Sequence, residues 1–326
     1  MRMNAIRSSP EAMTSTDRIL PGVALMIGFC LLAPLIDVAA KLAAQGVPVG
    51  VIVLGRGVVQ SALMLPFVLV MGLPLRLTPR TLGLVVLRAL MLVVSTYCFV
   101  AAVRVMPIAD ALAIVFVEPF VILLIGRFAF GEQVGPRRLG ACALGFLGSL
   151  LVIQPSFAEF GAVALFPLGT AVTFALYIIV TRQLSRDMHP VPMQFHTALF
   201  TGLLCLPLLA AGTAAGEPSL TFAAPEGIFW LWVFCVGLAS AVSHMAMTYA
   251  LKFAPSSTLA PLHYLEIVTA TALGYLIFSD FPNGLTWAGI AIIVASGLYV
   301  IHRERALARA ARLTSLTPIA APQAPM

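Results

Sequence analysis

Apolar runs of about 20 residues follow one another along almost the whole chain, separated only by short clusters of Pro, Gly and Arg. In lipid no water is available to satisfy backbone N–H and C=O groups, so such runs must become helices, which bond internally. A helix rises about 1.5 Å per residue, and about 20 residues cross a hydrocarbon layer about 30 Å thick. Ten stretches approach that length: 20–42, 50–72, 82–103, 107–130, 138–153, 161–181, 192–212, 227–251, 255–278 and 286–301. Only 10% of the residues are charged and 60% are apolar, where a soluble domain carries about 25% charged residues to cover its surface. The expected fold is an all-α polytopic membrane protein with ten transmembrane helices and lipid as its main solvent.

The net charge of +6 does not point to nucleic acid, because the Lys and Arg residues form no continuous patch and do not alternate with aromatics. Their distribution instead sets topology. With the N-terminus inside, the inner segments collect Arg2, Arg7, Arg18, Arg76, Arg80, Arg127, Arg137, Arg138, Arg182, Arg186 and Lys252, and the outer loops hold only Arg104. Both termini are therefore expected to be cytoplasmic, in the inner (plasma) membrane. The apolar run that begins at Ile19 exceeds the h-region of a signal peptide, about 7–15 residues, and reads as an uncleaved first span. Cys30, Cys98, Cys142, Cys205 and Cys235 all lie in apolar stretches without C-x-x-C spacing, and read as small buried side chains.

Residues 97–152 can be laid over 245–300 without gaps. Ala102 then meets Ala250, Arg104 meets Lys252, Pro107 meets Pro255, Glu118 meets Glu266, Gly126 meets Gly274, Phe130 meets Phe278, and Glu132 meets Asp280. A glutamate inside a span is costly, so its recurrence in register carries weight that apolar identities do not. Five helices per unit is an odd number, so the second unit must run upside down. The chain thus divides into a cytoplasmic tail (1–19), a first repeat (20–155), a second repeat (160–301) and a basic, then disordered, cytoplasmic tail (302–326). Inverted repeats are a transporter architecture whose halves move around a site near the midplane.

Residues 104–155, RVMPIADALAIVFVEPFVILLIGRFAFGEQVGPRRLGACALGFLGSLLVIQP, resemble the repeat signature of the EamA family, within the drug/metabolite transporter superfamily. Residues 251–305, which begin LKFAPSSTLAPLHYLEIVTATALGYLIFSDFPNG, resemble its second copy, and DVAAKLAAQGVP with LGRGVVQ match its first two helices. The resemblance implies a ten-helix bundle around a cavity open alternately to each side. It also implies a cargo among amino acids, S-adenosylmethionine or riboflavin, moved in either direction.

Glu118 and Glu266 each sit about 16 Å into their helices, one per repeat. The pair would bind a cationic or zwitterionic substrate or take up protons; the alternative is that each locks the bundle by bonding a neighbour. Pro119 fits both, since a proline leaves a carbonyl free. His263, Tyr264 and Glu266 share one stretch, with His263 and Glu266 on one face. His244 is expected at similar depth, as a proton relay, a substrate ligand or a structural bond. H-Y-L-E lacks the second histidine of H-E-x-x-H, so no metal is expected.

Asp37 and Lys41 stand in the favourable order for an intrahelical pair, with Arg56 and Gln60 entering from the same side. These four would gate the outer mouth, hold a substrate carboxylate or form a neutral structural cluster. Arg88 is expected to pair with an inner carboxylate. Asp110 complements a helix dipole, and Trp230 and Trp232 read as interfacial anchors. Gly140, Ala141, Gly145 and Gly148, with Gly289, Ala291, Ala295 and Gly297, favour close helix packing or a homodimer contact.

A secondary transporter of small molecules is the leading reading, with amino acids and derivatives such as S-adenosylmethionine ahead of riboflavin import or broad drug/metabolite export. No G-x-x-x-x-G-K-[ST] loop is present to supply ATP drive, and no G-x-S-x-G or paired metal ligands support a membrane enzyme. No cofactor is expected.

Overall fold

The computed structural model describes residues 19–130, 135–280 and 283–316, and every element among them is helical. Seven helices are long and apolar enough to cross a membrane. They include α1 (Ile19–Ala43), α2 (Val49–Val70) and α3 (Pro79–Val103), then α7 (Leu165–Asp187), α8 (Pro190–Ala215) and α9 (Phe229–Phe253). The start of α3 shows why boundaries fall at Pro: Thr78 accepts the Thr81 amide at 3.2 Å, and Pro79 occupies the first turn, where its missing N–H costs nothing. Shorter apolar segments lie within α6 (Pro136–Phe160) and α12 (Gly284–Leu316) and over 262–278.

Two of the expected spans are broken in the middle. The fourth divides into α4 (Ile108–Val115) and α5 (Glu118–Phe130). Pro119 has no amide to donate to Val115, and the chain tightens there: the Val117 amide reaches Ile114 O at 3.2 Å and the Phe120 amide reaches Val117 O at 3.1 Å. The ninth divides into α10 (Ser256–Leu259), a 3-10 stretch (Ala260–Leu265) and α11 (Glu266–Phe278). There the Glu266 amide bonds His263 O, so Leu262 O lacks its α-helical donor. The Cys30 thiol of α1 fills that place, donating to Leu262 O at 3.3 Å.

The most extensive packing joins the two halves of the chain: α1 on α9, α3 on α7, α2 on α8, and α6 on α12. At the breaks, α4 packs on α11 and α5 on α10. Exchanging α1, α2, α3 and α6 for α7, α8, α9 and α12 turns the α1–α9 pair into the α7–α3 pair and leaves the α2–α8 and α6–α12 pairs unchanged. The α6–α12 contact is close enough that a Cβ on Gly148 would lie 2.9 Å from Gly289 O, so the glycine is what allows the approach.

The surface is inverted relative to a soluble protein. Val70, Phe128 and Leu276 are 87%, 80% and 74% exposed, while Arg88, Gln194 and Thr181 are fully buried. Lipid solvates the first set; hydrogen bonds satisfy the second. Trp230 is exposed, as an interfacial residue should be, but Trp232 is half-buried against the α1–α2 core. Past residue 301 the backbone continues as one helix, α12, to Leu316, so the loss of order expected from Thr314 does not begin there. Glu132, Arg2, Arg7 and Arg18 lie outside the described residues, as do the side chains of Cys142, Arg137 and Arg138.

Candidate functional site: a cavity at the helix breaks

The two breaks meet inside the bundle, and each is followed at once by a glutamate. Glu118 opens α5 and Glu266 opens α11; they are 2% and 8% exposed. A helix N-terminus carries partial positive charge and unpaired amides, which is a favourable place for a carboxylate. Both line one internal cavity, with Asp37, Arg56 and His244 on its other walls. It offers about 80 Å³ to water-sized molecules, where a single water needs about 10–15 Å³. That is room for several waters, and cargo larger than that requires the walls to part.

The cavity lies to one side of the bundle's middle. Its lining runs from Phe29, Leu92 and His244 at mid-helix to Ala40 on α1 and Val100 on α3, near the ends of those helices. Towards the opposite end the space is closed by polar side chains. Arg88 Nε donates to Thr181 Oγ1 at 2.7 Å, Nη2 donates to Tyr177 Oη at 2.6 Å, and Nη1 donates to Thr197 Oγ1. Its guanidinium also lies 4.4 Å from the Tyr177 ring centre. Gln194 Nε2 bridges to His244 O and Thr248 Oγ1 at 2.8 and 2.6 Å, and Arg182 donates to Leu251 O. The expected carboxylate partner of Arg88 is therefore replaced by hydroxyls and an aromatic face.

Asp37 and Lys41 do not pair. Lys41 Nζ lies 2.7 Å from Asp280 Oδ2, donates to Met106 O at 3.2 Å, and sits 4.7 Å from the Phe278 ring centre. The intrahelical pairing loses because an anion, a carbonyl and a ring converge on Lys41 from elsewhere in the fold. Asp37 Oδ2 is left buried without a hydrogen-bond partner. Arg56 is 5% exposed and donates through Nη1 to Thr96 Oγ1 at 2.5 Å. Its Nη2 lies 2.7 Å from His244 Nε2, and its Nε has no partner. Since guanidinium nitrogens only donate, His244 Nε2 must accept, which places the imidazole proton on Nδ1, 3.2 Å from Tyr177 Oη. Gln60 turns away from the cavity, reaching Gln194 Oε1 at 3.3 Å.

His263 faces Glu118, not Glu266: its Nδ1 lies 3.6 Å from Glu118 Oε1, and both side chains are buried. The 3-10 winding before Glu266 moves His263 out of the register that an α-helix would give it. Tyr264, expected beside it, does not reach the cavity. It is fully buried, edge-on to Phe116 at 5.6 Å, and a Cβ on Gly145 would lie 2.6 Å from its hydroxyl. Asp110 lies in the first turn of α4, as its dipole role requires, and also accepts from Thr286 Oγ1 at 3.4 Å.

Sequence reasoning missed the aromatic wall. Phe29, Phe99 and Phe174 join Phe116 around the cavity, and Phe29 and Phe174 each contact both His244 and His263, with ring centres 5.4–6.3 Å apart. Phenylalanines in apolar spans carry no signal that marks these among the 20 in the chain. Phe120 does not line the cavity; its ring stacks on that of Phe146, with centres 5.2 Å apart.

Comparison with known proteins fits this arrangement. A riboflavin transporter of Rhizobium johnstonii is 31% identical over 243 residues, 74% of this chain and 76% of that one. An S-adenosylmethionine uptake transporter of Rickettsia felis is 26% identical over 245 residues, covering 75% and 80%. A pseudopaline exporter of Pseudomonas aeruginosa is 23% identical over 282 residues, covering 86% and 95%. A solved structure titled only "Crystal structure of protein" superposes with a TM-score of 0.67 at 20% identity, over 90% of this chain and 99% of that one, and so shares the fold. The EamA-like transporter family profile matches residues 20–154 and 161–302. Two copies of the family unit fill the chain between its tails, and the chain belongs to the EamA-like transporter family.

Proposed function

We propose that the chain is a secondary carrier that moves a small organic metabolite by alternating access, using ten membrane crossings arranged as two inverted repeats. The observation that carries the proposal is the meeting of two broken helices at one cavity, each break supplying a buried glutamate. Broken helices around a central site are how transporters line a path with polar backbone in lipid. The helix exchange that maps α1–α9 onto α7–α3 supports the inverted repeat. The Lys and Arg bias supports cytoplasmic termini in a plasma membrane. In that orientation the present cavity reaches toward the outside, and the Arg88 and Gln194 contacts form the inner closure.

Glu118 with His263, and Glu266 across from them, form the proton- or cation-binding element. Asp37, Arg56 and His244 complete the substrate walls. The cargo is an amino acid or a derivative such as S-adenosylmethionine, in keeping with charges of both signs around one space. Asp37, Asp110, Glu118 and Glu266 are buried along with Arg56 and Arg88, so buried carboxylates outnumber buried arginines. The second reading, a riboflavin-type vitamin carrier, rests on the four phenylalanines that would stack on a flat ring. Of the small residues on α6 and α12, Gly148 meets Gly289 and Gly145 faces Tyr264, while Gly140, Ala291 and Ala295 are exposed and remain available for a homodimer contact. Flux of labelled amino acids, S-adenosylmethionine and riboflavin into vesicles holding the purified protein tests the proposal. Saturable uptake of one class is the expected result; no uptake of any would overturn it.

A further inference from the structure

Asp37 and Arg56 present opposite charges to the same cavity from neighbouring spans, yet they make no ion pair with each other among the described residues. Each also keeps one buried atom without a hydrogen-bond partner, Oδ2 of Asp37 and Nε of Arg56. Burying such atoms unpaired is costly, and two complementary residues that carry them, line one space and stay apart mark a place for something between them.

The surroundings hold both groups in this condition. Lys41, the natural partner of Asp37 one helical turn away, is engaged by Asp280 and Met106 O. Arg56 is fixed by its Nη nitrogens on Thr96 and His244, which presents the Nε edge as the one still free to donate. His244 is a hydrogen-bond acceptor toward Arg56 and brings no negative charge. The other ionisable groups on the cavity wall are Glu118 from α5 and Glu266 from α11, both carboxylates. Arg56 is thus the single cation lining the cavity among the described residues, because Arg88 is closed off by Thr181, Thr197 and Tyr177.

We propose that Asp37 and Arg56 form a clamp for an α-amino-acid headgroup, with the substrate ammonium on Asp37 and its carboxylate on Arg56. A headgroup carrying both charges on one carbon fills both orphaned positions at once, which a lone amine, a lone acid or a neutral ring does not. The phenylalanine wall then accommodates the side chain. This rests on the carrier reading and narrows it to a chemical class.

The test uses wild-type protein in vesicles, with methionine, lysine, phenylalanine and S-adenosylmethionine as probes, each amino acid paired with its methyl ester and its N-acetyl derivative, and riboflavin as a neutral flat control. At least one free zwitterion should be carried, and blocking either end of it should weaken apparent affinity by about tenfold or more. In Asp37→Asn the N-acetyl penalty should shrink while the ester penalty persists; Arg56→Gln should show the reverse. A merely structural role for either residue would weaken all probes alike. Blocked forms carried as well as the free zwitterion overturn the clamp, and because that comparison uses wild-type protein it holds even if a variant fails to fold. Uptake of riboflavin with none of any zwitterion overturns the clamp and leaves the carrier reading standing. Uptake of no probe overturns both.

Discussion

Replacing Asp280 with alanine should do two separable things, both because of where Lys41 is held. Lys41 and Asp280 meet at 2.7 Å with side chains 16% and 24% exposed. That geometry lies between an exposed pair, worth about 0.2–1 kcal/mol, and a well-shielded charge-assisted hydrogen bond, worth about 1.5–3 kcal/mol. Discounted for residual exposure, the pair contributes roughly 1–2 kcal/mol. Freed from Asp280, Lys41 can turn to Asp37 one turn back and recover about 0.3–0.5 kcal/mol. The net loss is about 1 kcal/mol, a fall of about 2–4 °C in melting temperature in detergent. Lys41→Met/Asp280→Ala should melt no lower than the worse single variant, because the two share one interaction. The second effect is on transport. Lys41 paired to Asp37 would occupy the position proposed for a substrate ammonium, so Asp280→Ala should weaken uptake of zwitterions, and adding Lys41→Met should restore it. Asp280 does not line the cavity, so a direct effect on cargo is not an alternative explanation. Additive stability losses, or uptake in Asp280→Ala equal to wild type, would refute the reasoning.

Four further outcomes follow from particular contacts. Gly148→Val should destabilise by about 1–3 kcal/mol, since its Cβ would meet Gly289 O at 2.9 Å and Ile293 at 2.9 Å; a melting curve checks this. Arg88→Met should cost under about 2 kcal/mol despite complete burial, because no partner is orphaned: Thr181 still donates to Tyr177 O, Thr197 still donates to Met193 O, and Tyr177 keeps His244. Arg88→Ala should melt lower, as it adds a void. Glu118→Gln with Glu266→Gln should flatten the dependence of flux on pH; an unchanged profile would remove protons from the mechanism. His189, in the connection before α8, caps that helix through Nδ1 on the Val191 amide at 3.3 Å. Partial burial and then Lys252 lower its pKa, so the folded state favours neutral imidazole. Its contribution is present above about pH 6.5, the unfolded value, and is lost as pH falls through the lower folded one. His189→Ala should therefore reduce the acid sensitivity of melting.

Much of this was legible in the sequence, and the failures share a cause. The register that pairs Glu118 with Glu266 placed one buried glutamate at the same point of each repeat, because a buried carboxylate is rare enough for its recurrence to mean something, but both spans were expected to be unbroken. Pro119 marked the first break for a reason local to the chain. The Asp37–Lys41 pairing failed because helix spacing reports neighbours three and four residues away and cannot see Asp280, 239 residues on. Arg88 was assigned a carboxylate because charge suggests charge, whereas three oxygen acceptors and a ring face from α7 and α8 satisfy it. Tyr264 was grouped with His263 and Glu266 on the assumption of an unbroken α-helix, and the 3-10 stretch at Ala260–Leu265 turned it into the core. The phenylalanine wall was invisible, since in lipid-solvated helices an aromatic costs nothing on either face.

The measurement that tests the central claim most directly is counterflow in sealed vesicles. Purified protein is loaded inside with unlabelled S-adenosylmethionine, methionine or riboflavin, and entry of the labelled compound is followed without ATP. A carrier with one cavity open alternately to each side should give label entry that overshoots equilibrium, saturates with cargo and is lost in the Glu118→Gln/Glu266→Gln double variant. Entry that is linear in concentration, indifferent to internal load or unchanged in the double variant would contradict an alternating cavity at the helix breaks.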